Sequence, residues 1–149
     1  MIRKAVIGDV KDIQGLINFY AKNDQMLPRS LNELYENIRD FFVYERDGNI
    51  EGCVALHVTW EDLAEIKSLA VLESKQKQKI GSLLVEEALK DAKALKVKRV
   101  FALTYVPEFF KKFGFKKIEH AKLPHKIWSE CIRCVKFPDC KEIALVKDI

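Results

Sequence analysis

The hydrophobic pattern of this chain changes from strand spacing to helical spacing between Val71 and Ile80, and that change limits the folds it can form. Between Phe41 and Val71 three apolar, β-rich runs follow one another, whereas from Ile80 to Leu95 apolar residues recur at helical spacing. Three strands joined by short turns form an antiparallel meander, and the amphipathic helix that follows has to cover the resulting sheet. The pattern therefore predicts an α/β or α+β protein.

The flanking segments carry the signals of further strands and helices. Predicted elements, in chain order, are strand Ile2–Val6, a helix from Val10 to Tyr20 capped by Asp9, a helix from Ser30 to Ile38, strands Phe41–Glu45, Ile50–Trp60 and Leu63–Val71, a helix from Ile80 to Leu95, strand Arg99–Thr104, helix Pro107–Phe113, and strands Phe115–Glu119 and Glu142–Lys147. Residues 124–140 read as a helical turn followed by a loop. No repeat or linker divides the sequence, so one domain over residues 1–149 is expected.

Charge and composition favour a small anionic ligand over a nucleic acid or a membrane. The 26 Lys and Arg residues exceed the 22 Asp and Glu residues by a net charge of +4, and the densest basic stretch, residues 75–79, holds only three cations. A nucleic-acid surface would need a denser basic stripe with interleaved aromatic residues. No apolar run approaches the ~18 residues of a membrane span, and the first residues lack the apolar core of a signal peptide, so a cytoplasmic protein is expected.

The cysteines and histidines give weak signals. Cys131, Cys134 and Cys140, with His125 upstream, have enough donors for zinc, but only the two-residue spacing of the first pair is diagnostic. Free thiols and no bound metal are therefore expected, with Cys53 in the core. His57 and His120 are expected to be structural or surface residues.

The loop between Val71 and Ile80 has the features of an anion site. Exposed backbone N–H groups at the start of a helix bind phosphates, and Gly81 would let a ligand approach the backbone closely. With one glycine, the loop is equally typical of an ordinary strand-to-helix connection.

The wider order of motifs resembles the GCN5-related N-acetyltransferase (GNAT) family. The resemblance is carried by residues 69–84 (LAVLESKQKQKIGSLL) and residues 107–115 (PEFFKKFGF), and it extends over nearly the whole chain. It implies a mixed, mostly antiparallel sheet that splays open between its fourth and fifth strands, with helices on both faces and acetyl-CoA in the cleft. The cofactor contacts that it implies are Leu69, Ala70, Val71, Gln76, Lys77, Gln78, Lys79, Ile80, Gly81, Ser82, Phe109 and Phe110.

One position departs from the family's loop pattern, which is Gln/Arg-x-x-Gly-x-Gly/Ala. Residues 76–81 read QKQKIG, so Lys79 replaces the first glycine. A lysine adds attraction for an anionic cofactor and crowds the approach to the backbone. Binding is expected to be retained, because the other N–H donors and the helix dipole do not depend on that side chain.

Within the family, the chain looks most like the amino-acid N-acetyltransferases that make N-acetylglutamate for arginine synthesis, in their short form. The supporting segments are residues 27–30 (LPRS), 39–44 (RDFFVY), 52–56 (GCVAL), 65–71 (EIKSLAV), 103–105 (LTY) and 123–128 (LPHKIW). The resemblance implies acetylation of the α-amine of L-glutamate. The alternatives are acetylation of another small amine or a protein N-terminus, and a non-catalytic acyl-CoA sensor. Because the closing strands of this fold often mediate dimers, a homodimer is a possible assembly.

Acetyl transfer to an amine needs a base, donors for the oxyanion and an acid for the departing thiolate. Glu65 stands among apolar neighbours, where desolvation would raise its pKa, and it is the expected base. The alternative is a surface carboxylate paired with Lys67. The family places a tyrosine acid at the position of Phe110, which cannot donate a proton, so Thr104 and Tyr105 are the remaining hydroxyl candidates.

A dicarboxylate acceptor requires cations. Arg29 matches a glutamate-binding arginine of the family, and arginine can bind a carboxylate through two parallel hydrogen bonds. Arg133 is a second candidate from the C-terminal segment, and Lys126 is a third cation for the site. Lys67 and Ser68 on the strand of Glu65 complete the expected substrate contacts.

Overall fold

The computed structural model describes residues 1–23, 25–119 and 142–149. The strands are β1 (Ile2–Lys4), β2 (Phe41–Arg46), β3 (Asn49–Trp60), β4 (Leu63–Val71), β5 (Arg99–Thr104), β6 (Lys116–Ile118) and β7 (Ile143–Asp148). The helices are α1 (Val10–Ala21), α2 (Leu31–Glu36), α3 (Ile80–Ala94) and α4 (Pro107–Lys111), with 3-10 turns at Ile7–Asp9, Ile38–Asp40 and Glu73–Lys75.

The described strands form one mixed sheet in the order β1-β2-β3-β4-β5-β7-β6. Every neighbouring pair is antiparallel except β4 and β5, which run parallel. Apolar residues of α1 and α2 pack on one face, against Val43, Cys53 and Ala55, whereas α3 packs on the other face, against Val54 and Ile66. The predicted fold class is therefore confirmed, with helices on both faces.

The sheet opens between β4 and β5. The two strands pair at three positions, of which the last is Glu65 opposite Phe101. Beyond that pair β4 runs on to Val71 and β5 runs on to Thr104, but the two strands no longer pair with each other. The predicted splay between the fourth and fifth strands is confirmed, and it leaves one edge of β4 open toward the cleft.

The chain entering α1 differs from the sequence prediction. Asp9 does not cap α1 with its side chain, although the sequence pattern predicted that role. Its carboxylate instead accepts a hydrogen bond from the Val6 backbone N–H at 2.8 Å and lies 2.7 Å from the Arg3 guanidinium. The hydrogen bond from Arg3 lowers the pKa of Asp9. Because these contacts turn the chain at Val6, β1 ends at Lys4 and not at Val6.

The elements α2, α4 and β6 are also shorter than predicted. Ser30 does cap α2, accepting from the Glu33 backbone N–H at 3.1 Å, but α2 ends at Glu36, where Asn37 leaves the helical conformation. The short helix α4 ends at Lys111, and β6 spans only Lys116–Ile118. These ends do not change the topology. The predicted loop at residues 124–140 lies outside the described residues.

Gly52 allows β3 and α3 to pack closely. A Cβ atom at this position would lie 3.0 Å from Leu84 Cδ1 and 3.1 Å from Ile80 Cγ2. Since Ile80 is the first residue of α3, the absence of a side chain at Gly52 sets how near the start of that helix comes to the sheet.

Candidate active site

Glu65 lies where the sheet opens. It is the last residue of β4 that is paired on both sides, with His57 of β3 and Phe101 of β5. Its side chain alternates with those of Ala64 and Ile66, which belong to the core under α3, so it projects to the face covered by α1 and α2. The residue is 7% exposed. A buried carboxylate thus stands at the closed end of the cleft.

His57 and Asp40 extend this row of polar groups. His57 is the cross-strand partner of Glu65 on the same face, and its Nδ1 lies 2.7 Å from Asp40 Oδ2. Both side chains are partly exposed, at 30% and 27%. From its sequence pattern alone, His57 was expected to be a structural or surface residue. The sequence does hold a signal for this pairing. His57 stands four residues before Glu61 and Glu65 stands four residues after it, so the two face each other across the β3–β4 hairpin.

A β-bulge follows Glu65 on β4. The three residue intervals from Lys67 to Ala70 on β4 lie opposite only two intervals on β3, from Ala55 to Cys53. Within the bulge, Ser68 has a positive φ of 55°. The thiol of Cys53 donates to the Ser68 carbonyl at 3.4 Å. Cys53 is fully buried, and burial raises the pKa of its thiol to about 12, which fits its predicted place in the core. Lys67 and Ser68 are half-buried, and their substrate roles stay predictions.

The loop between β4 and α3 departs from ordinary backbone geometry at two lysines. Lys77 and Lys79 have φ values of 68° and 66°, the left-handed region that favours glycine. Lys79, which stands where the family pattern has glycine, directly precedes α3 in this left-handed conformation. The left-handed conformation costs roughly 1–2 kcal/mol for a residue other than glycine.

The start of α3 meets residues from both sides of the cleft. A Cβ atom at Gly81 would lie 3.5 Å from the Phe109 ring and 3.8 Å from the Val71 side chain, so three predicted cofactor contacts come together here. Phe110 is 5% exposed within the core and packs edge-to-face on Phe109, with ring centroids 5.3 Å apart. Of the two phenylalanines, Phe109 is the one that lies beside the helix start.

Acetyl-CoA fits this arrangement. The first N–H groups of a helix have no partner inside it, so those of Ile80, Gly81 and Ser82 are donors suited to phosphate oxygens. Beyond Glu65, the edge of β4 that faces β5 pairs with no described strand, and its backbone groups can form hydrogen bonds with the amide groups of an extended ligand. The predicted contacts at Leu69 and Ala70 lie on this stretch of β4.

Tyr20 of α1 links the end of β4 to this loop. Its hydroxyl donates to the Val71 carbonyl and accepts from Gln76 Nε2, which lies 2.5 Å away. Burial raises the pKa of Tyr20, which moves the titration of its hydroxyl further above neutral pH. No local sequence pattern predicts this contact, because Tyr20 and Gln76 are 56 residues apart.

A second contact joins the β2–β3 hairpin to the same loop. The buried carboxylate of Glu51 lies 3.5 Å from Arg46 Nε and 3.7 Å from Lys75 Nζ. Arg46 also donates to the side-chain oxygen of Gln78 at 3.4 Å. Side chains of the β2–β3 hairpin therefore contact Lys75 and Gln78 of the loop.

The two hydroxyl candidates have different surroundings. Thr104 ends β5 and is 8% exposed, and its Oγ1 accepts from the Val106 backbone N–H at 2.9 Å. By strand alternation its side chain shares a face with those of Val100 and Ala102, which pack in the core under α3, and this is the face opposite Glu65. Tyr105 follows directly and is half-buried.

Arg29 lies in the α1–α2 loop, on the same side of the sheet as Glu65. Its backbone is held by α1, since its carbonyl accepts from Gln14 at 3.2 Å and its N–H donates to Asn18 at 3.4 Å. One guanidinium nitrogen lies 3.5 Å from Glu33. Within the part of the chain that the structure describes, no acceptor reaches the buried Arg29 Nε–H.

Several sequence predictions lie outside the described residues. They concern the substrate cations Lys126 and Arg133, and the three clustered cysteines. Residues 1–23, 25–119 and 142–149 contain no group of three His, Cys, Asp or Glu residues suited to a metal ion. Over the same residues, no helix combines the length and apolarity needed to cross a membrane.

Known proteins with similar sequences are acetyltransferases. The family described as an acetyltransferase (GNAT) domain matches residues 37–117. An uncharacterized N-acetyltransferase of Chlorobaculum tepidum is 43% identical over 99% of this chain and 96% of its own length. The amino-acid acetyltransferase of Mycobacterium tuberculosis is 37% identical over 89% of this chain and 78% of its own length.

A solved structure agrees with these sequence matches. N-acetylglutamate synthase from Neisseria gonorrhoeae, crystallised with coenzyme A and N-acetyl-glutamate, superposes with a TM-score of 0.91 at 29% identity. The match covers 99% of this chain and 34% of the synthase chain, so this chain corresponds to about a third of that enzyme. By sequence and by fold, the chain belongs to the GNAT acetyltransferase family.

Proposed function

We propose that this protein transfers an acetyl group from acetyl-CoA to the α-amine of L-glutamate, the first step of arginine biosynthesis. The observation that carries the proposal is the buried Glu65 at the point where β4 and β5 part, on the same side of the sheet as the partly unpaired Arg29. A base and a cation on one side of the cleft suit an amine that carries carboxylates. The similarity to amino-acid acetyltransferases supports the same reaction.

Acetyl-CoA is the acetyl donor, and it supplies an activated thioester carbonyl. The N–H groups of Ile80, Gly81 and Ser82 would hold its phosphates, together with the partial positive charge at the start of α3. Gln76 and the cations Lys75, Lys77 and Lys79 lie in the same loop and add to its attraction for an anion. The open edge of β4 would orient the amide-bearing arm toward Glu65.

Glu65 accepts the proton of the substrate ammonium group, directly or through a water molecule. Deprotonation exposes the nitrogen lone pair, without which the amine cannot attack. Burial limits the access of bulk water to the carboxylate, and its cross-strand neighbour His57 is itself held by Asp40.

We assign the acid role to Tyr105, which would protonate the departing thiolate. Phe110 occupies the family's tyrosine position and has no hydroxyl. Thr104 already accepts a hydrogen bond from Val106 and lies on the face opposite Glu65. Tyr105, one residue further along, is the remaining hydroxyl at this strand end.

Arg29 would bind a carboxylate of the acceptor. Its Nε–H is buried without an acceptor among the described residues, and leaving a buried donor unsatisfied costs about 1–3 kcal/mol. A substrate carboxylate removes that cost and forms charge-assisted hydrogen bonds. Gln14 and Asn18 hold the Arg29 backbone in place, which restricts the positions that its guanidinium group can reach. This restriction would favour an acidic substrate.

A thiol-release assay over a panel of amino acids tests the proposal. L-glutamate should give the highest kcat/KM, and L-glutamine, which has the same chain length without the second charge, should be at least tenfold worse. Preference for an uncharged amine or a protein N-terminus would contradict the role of Arg29. CoA binding without release of thiol from any amine would favour an acyl-CoA sensor.

A further inference from the structure

The hydroxyl of Tyr20 makes two contacts at the mouth of the cofactor cleft. It donates to the carbonyl of Val71, the last residue of β4, and it accepts from Gln76 Nε2 in the loop that follows. One side chain of α1 therefore ties together the end of the strand and the middle of the cofactor loop.

The loop needs such a tie because its own backbone is strained. Lys77 and Lys79, on the α3 side of Gln76, both hold left-handed conformations that lysine disfavours. An untethered loop would relax toward ordinary conformations and turn its N–H groups away from one another. The side chain of Val71 lies beside the Gly81 backbone at the start of α3, so the anchored strand end also borders the helix terminus.

We propose that Tyr20 is a positioning residue for acetyl-CoA, holding Gln76 and the end of β4 in the arrangement that binds the cofactor. It does not touch the reacting atoms and acts through the loop. This inference rests on the part of the proposed function that puts acetyl-CoA in the cleft, and it does not depend on which amine is acetylated.

Direct binding of CoA to the purified chain tests the inference without reference to turnover. In calorimetry, Tyr20→Phe should raise the CoA dissociation constant by about three- to tenfold, because the loss of two hydrogen bonds weakens the preorganised loop. Tyr35→Phe is the matched control, since Tyr35 lies on α2 with 42% of its surface exposed, and its variant should bind CoA like the unmodified protein. Equal CoA affinity of Tyr20→Phe and the unmodified protein would overturn the inference.

A double-mutant cycle between Tyr20 and Gln76 is a second test of the inference. Gln76→Ala removes the donor that reaches Tyr20, so the part of the Tyr20→Phe effect that acts through Gln76 should disappear in the double variant, and its loss of CoA affinity should be smaller than the product of the two single losses. Independent, multiplicative effects would show that Gln76 acts without Tyr20 and would overturn the inference. Gln76 is exposed, so its variant remains informative even if Tyr20→Phe folds poorly.

Steady-state kinetics separate positioning from general damage to the fold. In Tyr20→Phe the KM for acetyl-CoA should rise, while kcat and the KM for the amine stay within twofold of the unmodified protein. A fall in kcat at saturating acetyl-CoA with unchanged KM would contradict a role through the loop. Failure of the unmodified protein to bind CoA would instead refute the proposed function.

Discussion

Replacing Gly52 by alanine tests the close approach of β3 to the start of α3. The new Cβ would lie 3.0 Å from Leu84 Cδ1, 3.1 Å from Ile80 Cγ2 and 3.3 Å from the Ala70 carbonyl oxygen. Each neighbour would have to move by a few tenths of an ångström. Leu84 and Ile80 are 0% and 1% exposed, so neither has free space to enter. Overpacking of this kind costs about 1–3 kcal/mol.

Thermal and denaturant unfolding measure the effect. For a chain of this size, each 1 kcal/mol corresponds to about 2–4 °C in Tm, so Gly52→Ala should lower Tm by roughly 2–12 °C. Because Ile80 begins α3, the same substitution should also weaken CoA binding by displacing the N–H groups of the helix start.

Gly15→Ala is the matched control, with the same chemical change and the opposite expected sign. Gly15 lies inside α1, and a Cβ there would meet nothing within 4 Å. Alanine is about 1 kcal/mol better than glycine in a helix, so this variant should be more stable than the unmodified protein. A Gly52→Ala variant as stable as the unmodified protein would refute the packing argument.

Three further predictions concern charge and reactivity. Arg3 lowers the pKa of Asp9. The stability that this pair contributes is therefore complete above the ordinary Asp pKa of about 4 and is lost as the pH falls through the lowered pKa. Asp9→Asn should remove this pH dependence and lower the free energy of unfolding, measured in urea, by about 2 kcal/mol. Cys53, with a pKa raised to about 12 and no exposed surface, should be alkylated at pH 8 only after unfolding, as followed by peptide mass spectrometry. Arg29→Lys should raise the KM for L-glutamate about 10- to 100-fold with little change in the KM for acetyl-CoA, and an equal rise in both constants would contradict a carboxylate-binding role.

The elements with strong periodicity could be predicted from the sequence. The meander and α3 follow from the change between strand and helix patterns near Val71, and they carry most of the fold. Asp9 shows where local signals fail. The pattern marks it as a helix cap, but Arg3 of β1 competes for its carboxylate, and that ion pair is a tertiary contact.

The candidate site likewise contains residues that the sequence predicts and residues that it does not. The positions of Glu65 and of the loop before α3 beside the cleft could be expected from local patterns and from the family resemblance, because they lie in continuous motifs, and their roles stay predictions. Tyr20 was not predicted, since its partners are 51 and 56 residues away in the sequence. The left-handed conformation of Lys79 could not be read from the residue itself, because lysine disfavours it and only the surrounding loop imposes it.

Glu65 is the proposed base for the acceptor amine. Its most direct test is the kcat/KM of Glu65→Gln for L-glutamate, measured beside the CoA affinity of the same variant. Glu61→Gln is the matched control, because Glu61 lies exposed in the turn between β3 and β4. Loss of a general base lowers turnover by about 10²–10⁴-fold, and CoA affinity should stay within twofold because the phosphate-binding groups are unchanged. A Glu65→Gln variant that keeps more than a third of the unmodified kcat/KM, with CoA binding intact, would contradict the account.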